Sequence, residues 1–286
     1  EKKKPADEEK LSHLSAYLSV VALGPIPQRK YKMPDEKDLE KIAGEGGGGR
    51  PERKGQGKSD AGAGAIPILL PVASGTTPPA SLYYKSPKPS SEGNPWSRLR
   101  VGYNNATSIS PVPAGITLNL YQLDRDENSE YKNYLTVPPM LPASQVILFL
   151  TPGATGARPW RKDPKISVLN IRSQALHDKN VLVRNFSSKA VTVKLGDGVP
   201  QVLNAGQRKS FNVVQTGKFT QLAAIIATSR QALINTVVRI PRQTLTVLAF
   251  YDADSVTNGG KSVGVFRTTV SKLPPEVLNK PRTPAR

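Results

Sequence analysis

The chain contains no cysteine, which excludes a disulfide scaffold, a thiolate zinc site and cysteine catalysis together. It has only two histidines, His13 and His177, so a histidine-rich metal site is excluded as well. No window of about 20 apolar residues occurs. The best apolar run, "AIPILLPVA" at 65–73, is short and broken by Pro67 and Pro71, so no segment is long and apolar enough to cross a membrane as a helix.

Positive charge, by contrast, is in excess. The net charge is +18 over 286 residues. Through Ile66 there are thirteen Lys and Arg against eleven Asp and Glu; the remainder holds twenty-seven against eleven. The surplus therefore sits on the part of the chain that can fold, and it points to anionic partners, either an anionic polymer or a membrane surface. The chain begins at Glu1, which fits removal of a leader or trimming, and the expected location is exported: periplasm, cell envelope or extracellular space.

Residues 1–65 read as an N-terminal arm. In "EEKLSHLSAYLSVVALG", Leu11, Leu14, Leu18 and Val21 recur at helical spacing and predict a short amphipathic helix, which either packs on the protein's own body or docks on a protein partner or a second copy. A second helical stretch, "PDEKDLEKIAG" at 34–44, ends on a glycine suited to a C-cap. The glycine-rich segment after it is a linker with almost nothing to bury. Its "GQGKS" at 55–59 lacks the first glycine, the preceding strand and the following helix of a phosphate-binding loop.

From Ile66 the pattern changes to short alternating runs separated by Pro, Gly and Asn, which predicts an all-β body over 66–271. In "SRLRVGY", Leu99, Val101 and Tyr103 alternate with Arg98 and Arg100; in "AVTVKL", Val191, Val193 and Leu195 alternate with Thr192 and Lys194. Each is a half-buried strand. "QVILFL" and "LAAIIA" are apolar on both faces and should be central. Asp197-Gly198 and Asn258-Gly259 suit the positive φ angles of hairpin turns. The expected architecture is a β-sandwich, either one elongated sandwich or two stacked lobes over 66–155 and 156–271. A Pro-rich tail, 272–286, follows it.

"VPPMLPASQVILFLTP" at 137–152 is followed by "NVLVRNFSSKAVTVKLGDGVPQVLNAGQRKSFNV" from Asn180. The pair resembles a loosely defined group of exported bacterial proteins of unknown function. In that group an aliphatic strand ending near Thr-Pro precedes an Arg-Asn-x-Ser strand and a hairpin. The likeness covers 82–270. It implies a secreted or envelope-associated β-sandwich and carries no catalytic residue over.

Chemistry-bearing motifs are partial. "LDRDENSEY" sets Asp124, Asp126, Asn128 and Glu130 at alternate positions as calcium candidates, but Ser129 and Leu135 stand where an EF-hand needs Gly and Glu. Asp252 and Asp254 could pair as glycosidase carboxylates, yet they fall at a hairpin end. No Gly-x-Ser-x-Gly elbow supports a serine triad with His13 or His177, and "LHDKN" at 176–180 reads as a polar turn. The expectation is a protein that is not an enzyme and needs no cofactor. The strongest signal is basic: Arg158, Arg161, Lys162 and Lys165 surround Trp160, and Arg239 and Arg242 follow later. An aromatic among cations can stack a sugar ring or a base while the cations hold its anionic groups; the plainer reading is a charged loop with Trp160 tucked onto the sheet. The reading is a non-enzymatic structural or interaction protein of the cell envelope or an extracellular assembly. A nucleic-acid-binding protein is the second reading, although no RRM, KH or helix-turn-helix signature occurs.

Overall fold

The structure is a computed structural model and describes residues 15–33, 68–70, 72–86, 94–124, 130–161, 163–171, 176–213 and 219–272. Among these the regular elements are strands: β1 (Ser15–Ala22), β2 (Tyr31–Lys32), β3 (Ile68–Leu69), β4 (Ser81–Lys85), β5 (Trp96–Tyr103), β6 (Ser110–Pro113), β7 (Leu118–Asp124), β8 (Glu130–Val137), β9 (Gln145–Thr151), β10 (Lys165–Asn170), β11 (Val181–Asn185), β12 (Val191–Leu195), β13 (Gln201–Leu203), β14 (Arg208–Phe211), β15 (Phe219–Ile226), β16 (Ala232–Arg239), β17 (Thr244–Asp252) and β18 (Val263–Ser271). The protein is thus nearly all β, with several sheets. It divides into two units, Pro27–Ala73 and the rest of the chain. The smaller unit contains the β2–β3 ladder, with Tyr31 opposite Leu69 and Lys32 opposite Ile68.

The larger unit holds two sandwich-like lobes. In the first, β1 lies between β9, to which it is parallel, and a second edge shared by β6 and β5. Antiparallel β10 completes that side; β5, β4, β7 and β8 form the other. Leu18, Val20, Leu82, Leu99, Leu120, Val137, Leu148 and Leu150 fill the core between them. Where β5 crosses from one side to the other, Gly102 is obligatory, because a Cβ there would sit 2.0 Å from the Asn105 carbonyl oxygen.

The helix expected around Leu18 and Val21 is therefore a strand over 15–22. The physical reason is that "SAYLSVVA" has no polar face: Leu18 and Val20 enter one core while Val21 enters another. A surface helix needs a solvated side, whereas a strand covered on both faces does not. Leu11 and Leu14 lie outside the described residues, as do 34–44, the glycine-rich linker and the tail from 273. The body also begins before Ile66, since β1 belongs to its first lobe.

The second lobe repeats the first strand for strand. The order β6–β1–β9–β10 has the same relative directions as β14–β11–β17–β18, and β5–β4–β7–β8 the same as β13–β12–β15–β16. Details recur as well. Before β9, Ala143 has φ 53° and Ser144 Oγ donates to the Leu141 carbonyl at 2.5 Å. Before β17, Gln243 has φ 55° and Thr244 Oγ1 donates to the Pro241 carbonyl at 2.8 Å. Likewise the Asn104 N–H donates to the Ala22 carbonyl and the Gly206 N–H to the Asn185 carbonyl, both at 2.8 Å and both from positive φ. The larger unit is thus a structural repeat, divided between Ile171 and Leu176 rather than at 155, because β10 completes the first lobe.

Two turns differ from expectation in detail. The positive φ falls on Gly196, not on Asp197-Gly198, and on Gly259 and Gly260 rather than on Asn258.

A third core joins the lobes. Val21, Leu23, Ile147 and Phe149 of the first face Leu182, Leu245, Val247, Ala249 and Phe266 of the second. The Phe149 ring lies 5.3 Å from Phe186 and 5.9 Å from Phe266, the latter edge to face at 83°. This explains why "QVILFL" is buried on both faces. "LAAIIA" alternates instead, with Leu222, Ala224 and Ile226 buried and Ala223 and Ile225 only half-buried. Its strand is interior to a sheet whose other face meets solvent.

Two outcomes follow. Phe149→Ala should cost about 3–5 kcal/mol in urea unfolding, the usual range for emptying a buried aromatic site. Deleting residues 1–26 should abolish cooperative folding of the first lobe, seen as loss of its amide dispersion by NMR, because it removes an interior strand rather than an appendage.

Candidate functional site

The basic residues singled out in the sequence do not form one site. Arg158, Arg161 and Lys165 are exposed at the end of the first lobe; Lys162 lies outside the described residues. Lys165 shares a cleft with Asp252, the last residue of β17. Arg239 and Arg242 are exposed before the first residue of that nine-residue strand, so they stand about 27 Å away at its opposite end.

Trp160 cannot stack a ligand. Only 3% of it is exposed, it belongs to the first core, and its ring meets Tyr103 edge-on at 6.1 Å. Its backbone N–H donates to the Gly75 carbonyl at 2.9 Å, which anchors the loop.

The acidic candidates are also dispersed. Asp124 and Glu130 are opposite one another at the β7–β8 hairpin end, while Asp126 and Asn128 lie outside the described residues. Asp252 Oδ1 accepts from the Ser188 N–H and Oγ, each at 2.9 Å. Asp254 Oδ1 accepts the Val256 N–H at 2.9 Å, an Asx turn. Among the described residues no group of three or more acidic or histidine side chains is placed to hold a metal. His177 is exposed, its Nδ1 3.0 Å from its neighbour Asp178.

The combination expected around Trp160 occurs instead on the outward face of β5, β4, β7 and β8. Alternation sends Leu99 inward and Trp96, Arg98 and Arg100 outward. Pairing places Lys85 opposite Trp96, Tyr83 opposite Arg98 and Tyr121 opposite Tyr83. Trp96 stacks on Tyr131 at 4.0 Å and 17° and meets Tyr121 edge-on at 4.9 Å; Tyr83 meets Tyr131 at 5.1 Å. The Lys85 ammonium sits 5.4 Å from the Trp96 ring centre. Arg98 Nε donates to Ser81 Oγ at 2.7 Å, which holds the guanidinium along the strand. Arg98 and Arg100 are about 6.8 Å apart on one side of the strand. β4 and β5 carry no carboxylate.

The sequence contained this signal as i, i+2 alternation in "NPWSRLR" and "LYYK", but only the pairing shows that four aromatics from four strands share one face. The face can present cations to an anionic chain while its rings supply an apolar bed.

No family model matches the chain, and no curated protein matches it.

Against the first core, burial pushes the Tyr103 phenol up to about 12, partly offset by the neighbouring Trp160 indole. Burial also raises Tyr251, and burial followed by the charge of Asp163 raises Tyr134. A phenol whose folded value exceeds its unfolded one, about 10, favours folding fully below pH 10. That contribution is lost as pH rises from about 10 towards about 12. Thermal melts from pH 8 to pH 12 should therefore fall in midpoint above pH 10, and less steeply for Tyr103→Phe.

Proposed function

We propose that this is a non-enzymatic interaction protein of the cell envelope or an extracellular assembly, a tandem β-sandwich that binds an anionic polymer. The observation that carries the reading is the outward face of the first lobe, where Lys85, Arg98 and Arg100 lie beside Trp96, Tyr83, Tyr121 and Tyr131 with no carboxylate on β4 or β5. Exposed cations attract a polyanion through a field that salt screens. The aromatic bed adds contact area that salt does not remove. Arg158, Arg161, Arg239 and Arg242 raise the general field from the loops near the two ends of β17.

A nucleic-acid partner is the second reading, since single-stranded nucleic acid also uses stacking rings within a positive surface. In the first lobe, however, the rings pack against one another rather than in a track for successive bases.

The test is retention on an acidic-polysaccharide resin. Lys85→Ser with Arg98→Ser and Arg100→Ser should lower the eluting salt concentration more than Arg158→Ser with Arg161→Ser does. Equal loss from both would mean diffuse charge rather than a face. A gel shift with single-stranded DNA that survives where resin binding fails would favour the second reading. Fractionation that finds the native protein only in the cytoplasm would remove the envelope assignment.

A further inference from the structure

A cleft of about 750 Å³ opens where the C-terminal ends of β1, β9, β11 and β17 meet. The first lobe supplies Leu23, Gly24, Pro25, the loop Thr151–Gly156 and Lys165; the second supplies Phe186, Tyr251 and Asp252. Its volume lies within the range of about 300–1,000 Å³ usual for small-molecule sites, and junctions between lobes are a common place for them.

The walls are preorganised. Asp252 is held by the Ser188 N–H and Oγ through Oδ1 alone, which leaves Oδ2 as an oriented acceptor. Phe186 is fixed between the Arg184 guanidinium, 4.7 Å from its ring, and Phe149. The Tyr251 ring lies over Gly264, where a Cβ would come within 2.3 Å of its Cζ. Lys165 is exposed, and its ammonium has no partner among the described residues.

We infer that this cleft binds a neutral sugar segment of two or three rings. The cleft lining carries one ammonium and one carboxylate, so it has no net field to select an ion even though the protein outside is strongly basic. Exposed charges bind a small ion weakly in any case. What the cleft offers is an acceptor at Asp252, donors at Lys165 and the Tyr251 phenol, the hydroxyls of Thr151 and Thr155, and apolar surface from Leu23, Pro152 and Phe186. A sugar ring presents the complement: a rim of hydroxyls that both donate and accept, and faces of C–H groups. The site shares no residue with the basic face of the first lobe, so either can fail alone.

The test uses the full chain with Trp96→Phe, which leaves Trp160 as the one tryptophan, beside Gly24 and Pro152 at the cleft floor. Neutral trisaccharides built from glucose, galactose, mannose and N-acetylglucosamine are titrated by fluorescence and calorimetry. Galacturonate trimer and triglycine serve as the acidic and zwitterionic arms. At least one neutral sugar should bind, and Asp252→Asn and Lys165→Met should each weaken it about tenfold or more. Gly264→Ala should do the same by displacing the Tyr251 ring, with unfolding checked by circular dichroism. No binding of any neutral sugar would overturn the inference. So would binding indifferent to Lys165→Met and Asp252→Asn, or binding of the acidic or zwitterionic arm alone.

Discussion

The layer of side chains between the two lobes is the constraint on which the rest depends. β9 and β17 are each buried on both faces, one face in their own lobe's core and the other in the shared one. Each lobe's inner sheet is thereby committed to the other lobe, and neither could expose its outer surface without uncovering Phe149, Val247 and Leu245. An exposed apolar area of that size drives association or aggregation. The two lobes therefore share three apolar layers, one inside each lobe and one between them. The cleft exists because the strands on the two sides of the middle layer end together, leaving loops rather than sheet to close the gap.

The repeated topology accounts for this arrangement. It places an inner sheet against its twin and leaves two outer sheets free of that constraint. In the first lobe the free face carries Trp96, Tyr83, Tyr121 and Tyr131 among cations. In the second it carries Val202, Phe219 and Val237, at 58%, 73% and 59% exposure, beside Thr192, Lys194 and Gln221. Equivalent interior positions differ too. Ala22 corresponds to Asn185, whose amide donates to the carbonyls of Lys189 and Leu203 and accepts from the Ser187 N–H and Oγ. With every polar atom paired, that buried amide pins the short connection from β11 to β12. In the first lobe the amide comes from the facing strand end instead: Asn104 Oδ1 accepts the Gly24 N–H at 2.9 Å and its Nδ2 donates to the Gly24 carbonyl at 2.8 Å, and the segment 27–73 follows in the chain.

The all-β class was legible because alternation is a local property: Leu99 against Arg98 and Arg100, or Val193 against Thr192 and Lys194, states its own periodicity. The double burial of "QVILFL" was legible for the same reason. The role of "SAYLSVVA" was not, since its apolar residues satisfy a period of 3.6 and a period of two together, and only its partners β9, β5 and β6 decide between them. The repeat was missed because it is conserved in hydrogen bonding, as at Ser144 and Thr244, far more than in residue identity. The aromatic face was missed because its members come from strands up to about fifty residues apart, whereas Trp160, surrounded by cations in sequence, is claimed by the first core.

Charge placement follows from the same layering. β1, β6 and β9 contain no ionisable group other than Tyr17, because a cation between two apolar layers would lose its hydration without a partner. Arg184 of β11 shows the cost. Its guanidinium leans on the Phe186 ring, and burial, then the like charge of Arg208, lowers its pKa. The remaining surplus is pushed to outer faces and strand ends, where water screens cations from one another but leaves them open to a polyanion. A strongly basic protein of this depth can thus keep a neutral interior and still present a directional field, because the fold itself sorts charge to the two outer sheets and the loop ends.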